Sequence, residues 1–146
     1  MNTVNLPIKL LNEKAIMPVQ AYNFDAGSDI CSTIEADLAP FERVMIPTGL
    51  AIELPKDYAA LILPRSGLGA KHGITLPNAP GLIDSGYRGE LKIPLINLDP
   101  KNSFHINVGD RIAQMVLIEN TKVDFLQSPD FSESERGEQG FGSSGV

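Results

Sequence analysis

The sequence predicts an all-β protein, a jelly-roll-like barrel or sandwich with one short helix and a mobile carboxyl-terminal tail. Eleven prolines and 13 glycines among 146 residues argue against a helical bundle. Short β-prone segments recur along the chain between turn residues. After Gln127 the composition shifts to Ser, Glu, Gly and Gln. We therefore expect one packed domain over residues 1–127 and a flexible glycine- and serine-rich segment over residues 128–146.

Individual elements follow from their residues. The run YAALIL is short and ends at Pro64, which favours a strand buried on both faces over a helix. Among the remaining segments, only residues 66–71 are predicted as a short helix. Turn signals between the β-prone segments give about nine or ten strands in total. The segments predicted as strands cover residues 6–11, 41–54, 58–63, 91–98, 104–108, 111–119 and 123–126.

Charge and cysteine content limit the function classes. A formal net charge of −6 offers no basic footprint for duplex nucleic acid, so we expect no stable nucleic-acid binding and only small, locally coordinated anions. Cys31 is the single cysteine, which excludes an intrachain disulfide and suits a buried, inert thiol in a reducing compartment. The amino terminus does not resemble a signal peptide, and no apolar run approaches the roughly 18 residues of a membrane span. A cytoplasmic protein without membrane association is expected.

Five polar segments interrupt the apolar pattern, and most of them place glycine beside serine or arginine. Glycine lets backbone N–H groups approach an anion, serine adds a hydroxyl donor, and arginine offers a planar fork that matches phosphate oxygens. Together they suit a polyphosphate. The segments are AGSDI (26–30), PRSGLGAKHGI (64–74), NAPGLIDSGYRGELK (78–92), GDRIAQM (109–115) and RGEQGFGSSG (136–145).

Each segment alone also fits a structural role. PRSG is compatible with a strand-ending turn, Asp84 and Ser85 with an Asx turn, and the tail with a flexible terminus. Gln114 lies within an apolar strand, so its amide either faces water or needs hydrogen-bond partners. His72 and His105 have no ligand spacing around them, so neither is assigned to a metal.

In this order the five segments resemble the motifs of the trimeric dUTPase family, from about residue 6 to the carboxyl end. The resemblance implies a jelly-roll subunit, a homotrimer with active sites shared between chains, and Mg²⁺-dependent hydrolysis of dUTP to dUMP and pyrophosphate. Such a hydrolase limits uracil incorporation into DNA and supplies dUMP for dTMP synthesis. Many members carry a second acid where this chain has Gly86.

The resemblance also implies residue roles. Asp84 corresponds to the catalytic acid, Asp29 to the acid that holds Mg²⁺ through bound water, and residues 128–146 to a lid over the site. The hairpin of the third segment would bind uracil, Tyr87 would pack on deoxyribose, and Phe141 would cover the base. Substrate contacts are implied for Arg65, Ser66, Gly67, Asn78, Leu82, Ile83, Tyr87, Lys92, Gln114, Arg136, Phe141, Gly142 and Ser143.

The chemistry expected from this set is general base catalysis, in which Asp84 orients and deprotonates water for attack on the α-phosphorus. Two alternatives stay open on the sequence alone. One is a dCTP deaminase-type enzyme on the same fold, and the other is a noncatalytic trimeric binding module, since fold does not dictate function.

Overall fold

The structure, a computed structural model, describes residues 3–140 and contains ten strands and one helix in that range. The all-β prediction with a single short helix is confirmed. The elements are β1 (Ile8–Leu10), β2 (Ser28–Cys31), β3 (Ala36–Leu38), β4 (Arg43–Ile52), β5 (Tyr58–Leu63), α1 (Ser66–His72), β6 (Ile74–Thr75), β7 (Gly81–Ile83), β8 (Glu90–Asn97), β9 (Phe104–Ile106) and β10 (Arg111–Glu119).

Two four-stranded antiparallel sheets enclose the core. The first has the order β1-β4-β8-β6, the second the order β2-β10-β5-β7, and β3 pairs with β9 in a separate ribbon. Alternating side chains of β8, among them Leu91, Ile93 and Leu95, are buried and meet Ile62 and Met115 of the second sheet in one apolar cluster. This sheet-on-sheet packing is the jelly-roll-like sandwich that the sequence predicts.

A bulge in β4 fixes where β8 begins. The pairing of β4 with β8 shifts register between Pro47 and Ala51, and Gly49 lies in this interval with φ +67°. A side chain at Gly49 would approach Ala15 Cβ to 2.7 Å, so glycine is needed there for space as well as backbone conformation. The carboxylate of Glu90 accepts the Gly49 N–H at 2.9 Å, which ties the start of β8 to this bulge.

The helix α1 follows β5 directly and is terminated by a left-handed glycine. Pro64 and Arg65 connect the two elements, so Arg65 lies immediately before the first turn. At the other end Gly73 has φ +67°, and its N–H donates to the Gly69 carbonyl at 3.1 Å. The short connection keeps Ser66 and Gly67 beside the end of β5.

Two sequence predictions need correction. Residues 123–126 do not form a strand, because the segment leaves the body after β10 and pairs with no strand in the described range, and Phe125 is 90% exposed. The strand β5 is not fully buried on both faces, since Leu61 and Leu63 on its outer side are half-buried. Within residues 3–140 there is no helix long and apolar enough to cross a membrane.

Candidate functional site

Strand register brings three of the five polar segments to one end of the second sheet. Gln114 of β10 pairs with Asp29 of β2 on one side and with Leu63 of β5 on the other. Directly paired residues share a face of a sheet, so Asp29 and Gln114 lie side by side, next to the chain that leaves β5 at Pro64. An open cavity of about 380 Å³ results, lined by Ala21, Asp25, Ala26, Gly27, Asp29, Arg65, Ser66, Gly67, Arg111 and Gln114.

Two arginines converge on one carboxylate in this cavity. Arg65 Nε donates to Asp29 Oδ1 at 3.0 Å, and Arg111 Nη1 donates to Asp29 Oδ2 at 3.2 Å. The Asp29 side chain is only 13% exposed, whereas both arginines reach solvent. Two guanidinium groups thus face one carboxylate in this cluster, while Asp25 adds a second carboxylate to the cavity lining. Each guanidinium has five N–H groups, so several remain to face an anion.

The Gln114 amide is held in place from two sides. Its Nε2 donates to the Pro64 carbonyl at 3.0 Å, and its Oε1 lies over Gly27, where a Cβ would overlap it. The amide thus has the partner that its position in an apolar strand requires. Because Gly27, in the first polar segment, has no side chain, the Gln114 amide of the fourth segment has room beside it.

Sequence reasoning missed Arg111, although it lies in the GDRIAQM segment. Residues three apart on a regular strand point to opposite faces, so Arg111 and Gln114 are not expected to share a cavity. The β10–β2 register shifts between Arg111 and Ala113, and this bulge turns both side chains to the same side. An arginine close before a polar strand residue is the only signal that the sequence offers.

A second group of predicted residues lies around the β7–β8 loop, which joins strands of different sheets and is therefore not the hairpin that the sequence predicts. Asn78, Leu82, Ile83 and Lys92 line a small cavity of about 50 Å³. On the neighbouring surface Ile83, Tyr87 and Lys92 line an open cavity of about 300 Å³. These residues come from one contiguous stretch, which is why they meet locally.

Hydrogen bonds within the β7–β8 loop fix the positions of Asp84 and Tyr87. The Tyr87 N–H donates to the Asp84 carbonyl at 3.0 Å, and the Tyr87 hydroxyl donates to the Glu90 carbonyl at 2.9 Å. Asp84 itself is exposed and lines neither cavity beside this loop. In one chain, then, the structure does not bring Asp84 into the cavity that holds Arg65 and Gln114.

The tail contributes to neither group in the described range. Arg136 is exposed, and its Nε donates to the Gln139 carbonyl at 2.8 Å. The predicted contacts Phe141, Gly142 and Ser143 lie outside the described residues.

The described residues offer neither a preformed metal cluster nor an exposed thiol. Residues 3–140 contain no group of three or more His, Cys, Asp or Glu side chains placed to hold a metal. Cys31 is buried, as expected from the sequence, and burial raises the pKa of its thiol. A raised pKa keeps this thiol protonated and chemically quiet at neutral pH.

The fold and the site define a class: an all-β sandwich with an arginine-lined anion cavity at one sheet end and a separate pocket beside the β7–β8 loop. Comparison with known proteins then gives the family. The family model for dUTPase matches residues 13–145, and the chain belongs to the dUTPase family. The family predicted from the five segments is thereby confirmed.

Relatives and solved structures agree with this assignment. A deoxyuridine 5'-triphosphate nucleotidohydrolase of Bifidobacterium longum (strain DJO10A) is 52% identical over 126 residues, which are 86% of this chain and 80% of the relative. The protein of the same name from Clostridium novyi (strain NT) is 50% identical over 143 residues, 98% of this chain and 100% of the relative. A mutant dUTPase of Staphylococcus bacteriophage 80alpha with dUpNHpp superposes with a TM-score of 0.92 at 34% identity, covering 99% of this chain and 100% of the other.

One further solved structure concerns a metal. A mutant dUTPase from phage phi11 of S. aureus matches with a TM-score of 0.81 at 29% identity, covering 89% of this chain and 100% of the other. That structure is described as revealing the coordination of a structural Mg(II) ion.

Proposed function

We propose that this protein hydrolyses dUTP to dUMP and pyrophosphate, with Asp84 activating the water that attacks the α-phosphorus. The observation that supports this most directly is the cavity in which Arg65, Arg111 and Gln114 surround one nearly buried carboxylate. Its donors suit phosphate oxygens, and the solved relative with dUpNHpp, a dUTP analogue, has the same fold. The activity would keep uracil out of DNA and provide dUMP for dTMP synthesis.

The phosphate end of the nucleotide would lie in this arginine-lined cavity. Arg65, Ser66 and Gly67 lie together at the β5–α1 junction, so one short segment offers a guanidinium, a hydroxyl and an uncrowded backbone. A side chain at Gly67 would meet nothing within 4 Å, so there is open space for an oxygen to approach. Gln114 adds an amide from the sheet side.

Mg²⁺ is the proposed cofactor, carried mainly by the substrate. Mg²⁺ keeps several waters and is commonly bound through one or two carboxylates together with substrate phosphates, so a cavity lined by the carboxylates of Asp25 and Asp29 fits it. Asp29, whose oxygens each have an arginine on one side, would hold the ion through bound water. When bound, the ion supplies positive charge against the oxygens that gain negative charge during phosphoryl transfer.

Uracil and deoxyribose would occupy the two cavities beside the β7–β8 loop. Asn78, Leu82 and Ile83 surround a small cavity whose size suits a flat ring edge, with Lys92 at its margin as a substrate contact. The Tyr87 ring is fixed by its hydroxyl bond to the Glu90 carbonyl, so it offers a rigid surface against deoxyribose that would exclude a 2′-hydroxyl. Polar groups left unmatched by cytosine would reject that base strongly.

A homotrimer would join the two regions. Leu61, Leu82 and Val116 pair directly across β7, β5 and β10 on the outer face of the second sheet, outside the core cluster. This apolar face is continuous with the arginine-lined cavity, because Gln114 and Val116 are alternate residues of β10. In the proposed trimer a second copy covers Val116 and places its own Asp84 loop towards the phosphates of the first.

The tail, residues 128–146, would act as a lid. The described part, up to residue 140, is exposed throughout, so its side chains are available to close over a ligand. Arg136 would reach the terminal phosphate, with Ser143 and Gly142, and Phe141 would cover the base. Lids of this kind exclude bulk water from the reaction.

Two further proposals concern the setting. The single, buried Cys31 suits a reducing compartment, and we place the protein in the cytoplasm on that ground. A net charge of −6 supports the proposal that it does not bind nucleic acid stably. No membrane association is proposed.

The test is pyrophosphate release from each deoxynucleoside triphosphate and from UTP, with and without Mg²⁺. Release from dUTP alone, lost on Mg²⁺ removal, is expected. Asp84→Asn should lower the turnover rate by about 10²- to 10⁴-fold while leaving dUTP affinity largely intact, because it removes the general base and keeps the shape. Near wild-type turnover by this variant refutes the role of Asp84. Ammonia release from dCTP would indicate the deaminase alternative, and inactivity on every nucleotide the binding module.

A further inference from the structure

The loop that carries Asp84 has little burial to hold it in place. Residues 84–89 cross from β7 in one sheet to β8 in the other, and they include Gly86 and Gly89. Every residue of this loop is exposed except Ser85, which is half-buried. A segment with two glycines and no apolar anchor owes its order to hydrogen bonds.

Two of those bonds come from one side chain, that of Arg88. Its Nη1 donates to the Ser85 carbonyl at 2.6 Å and to the Tyr87 carbonyl at 2.9 Å. The Tyr87 N–H in turn donates to the Asp84 carbonyl at 3.0 Å. The guanidinium thus closes the turn that starts at Asp84, through charge-assisted bonds that are stronger than neutral ones.

The same guanidinium also reaches the first sheet, but that contact is weaker. Arg88 Nη2 lies 3.4 Å from Oε1 of Glu53, the residue that follows β4. The Arg88 side chain is 52% exposed and the Glu53 side chain 62% exposed. Exposed ion pairs contribute about 0 to 1 kcal/mol, so the ion pair orients Arg88 at most. The bonds to the loop carbonyls carry the restraint.

We propose that Arg88 is a positioning residue for the reaction: its fork holds the 84–87 turn so that the Asp84 carboxylate is kept at a fixed place and angle. This inference rests on the proposed role of Asp84. Efficient proton transfer depends on a base held in geometry, and a displacement of about 1 Å can cost about 100-fold in rate. Arg88 lines neither the arginine-lined cavity nor the two cavities beside the β7–β8 loop, so its loss should spare substrate affinity.

The test compares kcat and KM for dUTP in Arg88→Gln, Arg88→Lys and the matched control Arg43→Gln, an exposed arginine at the start of β4. We expect Arg88→Gln to lower kcat about 10- to 100-fold with KM changed less than about threefold. Arg88→Lys should recover part of the loss, because an ammonium can reach one carbonyl but lacks the planar fork. Unchanged kcat in Arg88→Gln, or a loss expressed in KM alone, would overturn the proposal.

A double variant separates positioning from general destabilisation. If Arg88 acts through the Asp84 carboxylate, Asp84→Asn with Arg88→Gln should be no slower than Asp84→Asn alone. If instead the fold-losses in kcat of the two single variants multiply in the double variant, Arg88 has a role independent of Asp84, and the inference is contradicted. Glu53→Gln should stay within about twofold of wild type, and a loss as large as that of Arg88→Gln would mean that the ion pair, not the carbonyl bonds, carries the restraint. If Asp84→Asn alone is fully active, it is the proposed function of Asp84 that fails.

Discussion

Replacement of Gly27 by alanine should impair phosphate binding without unfolding the protein. The added Cβ would overlap Gln114 Oε1 and lie 3.2 Å from Gln114 Cδ, so the amide must swing away. Because Gln114 Nε2 donates to the Pro64 carbonyl, the same rotation breaks that 3.0 Å bond. Backbone strain is not involved, since Gly27 is not among the glycines with positive φ.

The expected magnitudes separate stability from activity. Loss of one side chain–backbone hydrogen bond costs about 0.5 to 1.5 kcal/mol, while Gly→Ala in a compatible conformation returns about 0.4 to 1 kcal/mol through the unfolded chain. The free energy of unfolding should therefore change by less than about 1 kcal/mol. A hydrogen bond to a charged phosphate is worth about 1.5 to 3 kcal/mol, which corresponds to a fall in kcat/KM of roughly 10- to 150-fold.

The assay is pyrophosphate release from dUTP, measured beside urea unfolding for Gly27→Ala, Gln114→Ala and the double variant. If the glycine acts only by making room for the glutamine, the double variant should match Gln114→Ala in kcat/KM. The reasoning is refuted if Gly27→Ala keeps kcat/KM within twofold of wild type, or if the double variant is much slower than Gln114→Ala.

Three other changes have defined outcomes. Truncation after Gln127 should leave the fold intact and lower dUTP turnover, because it removes the proposed lid; circular dichroism and pyrophosphate release check both, and an undiminished rate would argue against a lid. Gly73→Ala should destabilise the fold by about 1 to 3 kcal/mol in urea unfolding, since a Cβ at φ +67° would lie 2.9 Å from the Asp99 nitrogen; an unchanged midpoint would contradict this. The hydrogen bond with Asp37 raises the pKa of His105 above 6.5, so its stabilisation is complete below pH 6.5 and disappears as pH rises through the higher folded pKa. Wild type and Asp37→Asn should then differ in Tm between about pH 5 and 6.5, where Asp37 is ionised and His105 is protonated, and converge at high pH. NMR titration of His105 should show a lower pKa in the variant.

Much of the fold could be predicted from the sequence because its strands carry strong local signals. The β8 segment alternates buried and outward residues, and the YAALIL strand ends before Pro64. The two-residue hydrophobic period and the position of the proline therefore both agree with the structure. Residues 123–126 have the same β-prone composition yet form no strand. Composition shows that a segment suits a sheet, but a strand also needs a neighbouring strand to pair with, and residues 123–126 pair with none of the strands within residues 3–140.

The site was predictable to the extent that its parts are contiguous in sequence. The residues from Asn78 to Lys92 meet because they follow one another, and the PRSG turn holds Arg65 and Ser66 together for the same reason. Arg111 escaped because a bulge, which leaves no local signature, reverses the side on which its side chain emerges.

The two-part arrangement of the site has a physical consequence for catalysis. Asp29, Arg65 and Gln114 belong to the end of one sheet, whereas Asp84 belongs to a loop that crosses between the sheets. This separation within the chain keeps the Asp84 carboxylate from pairing with Arg65 and Arg111, which already bind Asp29. A carboxylate paired with arginine is a weaker base, so the separation leaves Asp84 available to accept a proton. A phosphate cavity and a base from different copies would meet only around a bound nucleotide. In that arrangement the loop must be rigid before assembly, and within the chain this rigidity comes from the Tyr87 N–H bond to the Asp84 carbonyl and from the bonds of Arg88 to the Ser85 and Tyr87 carbonyls.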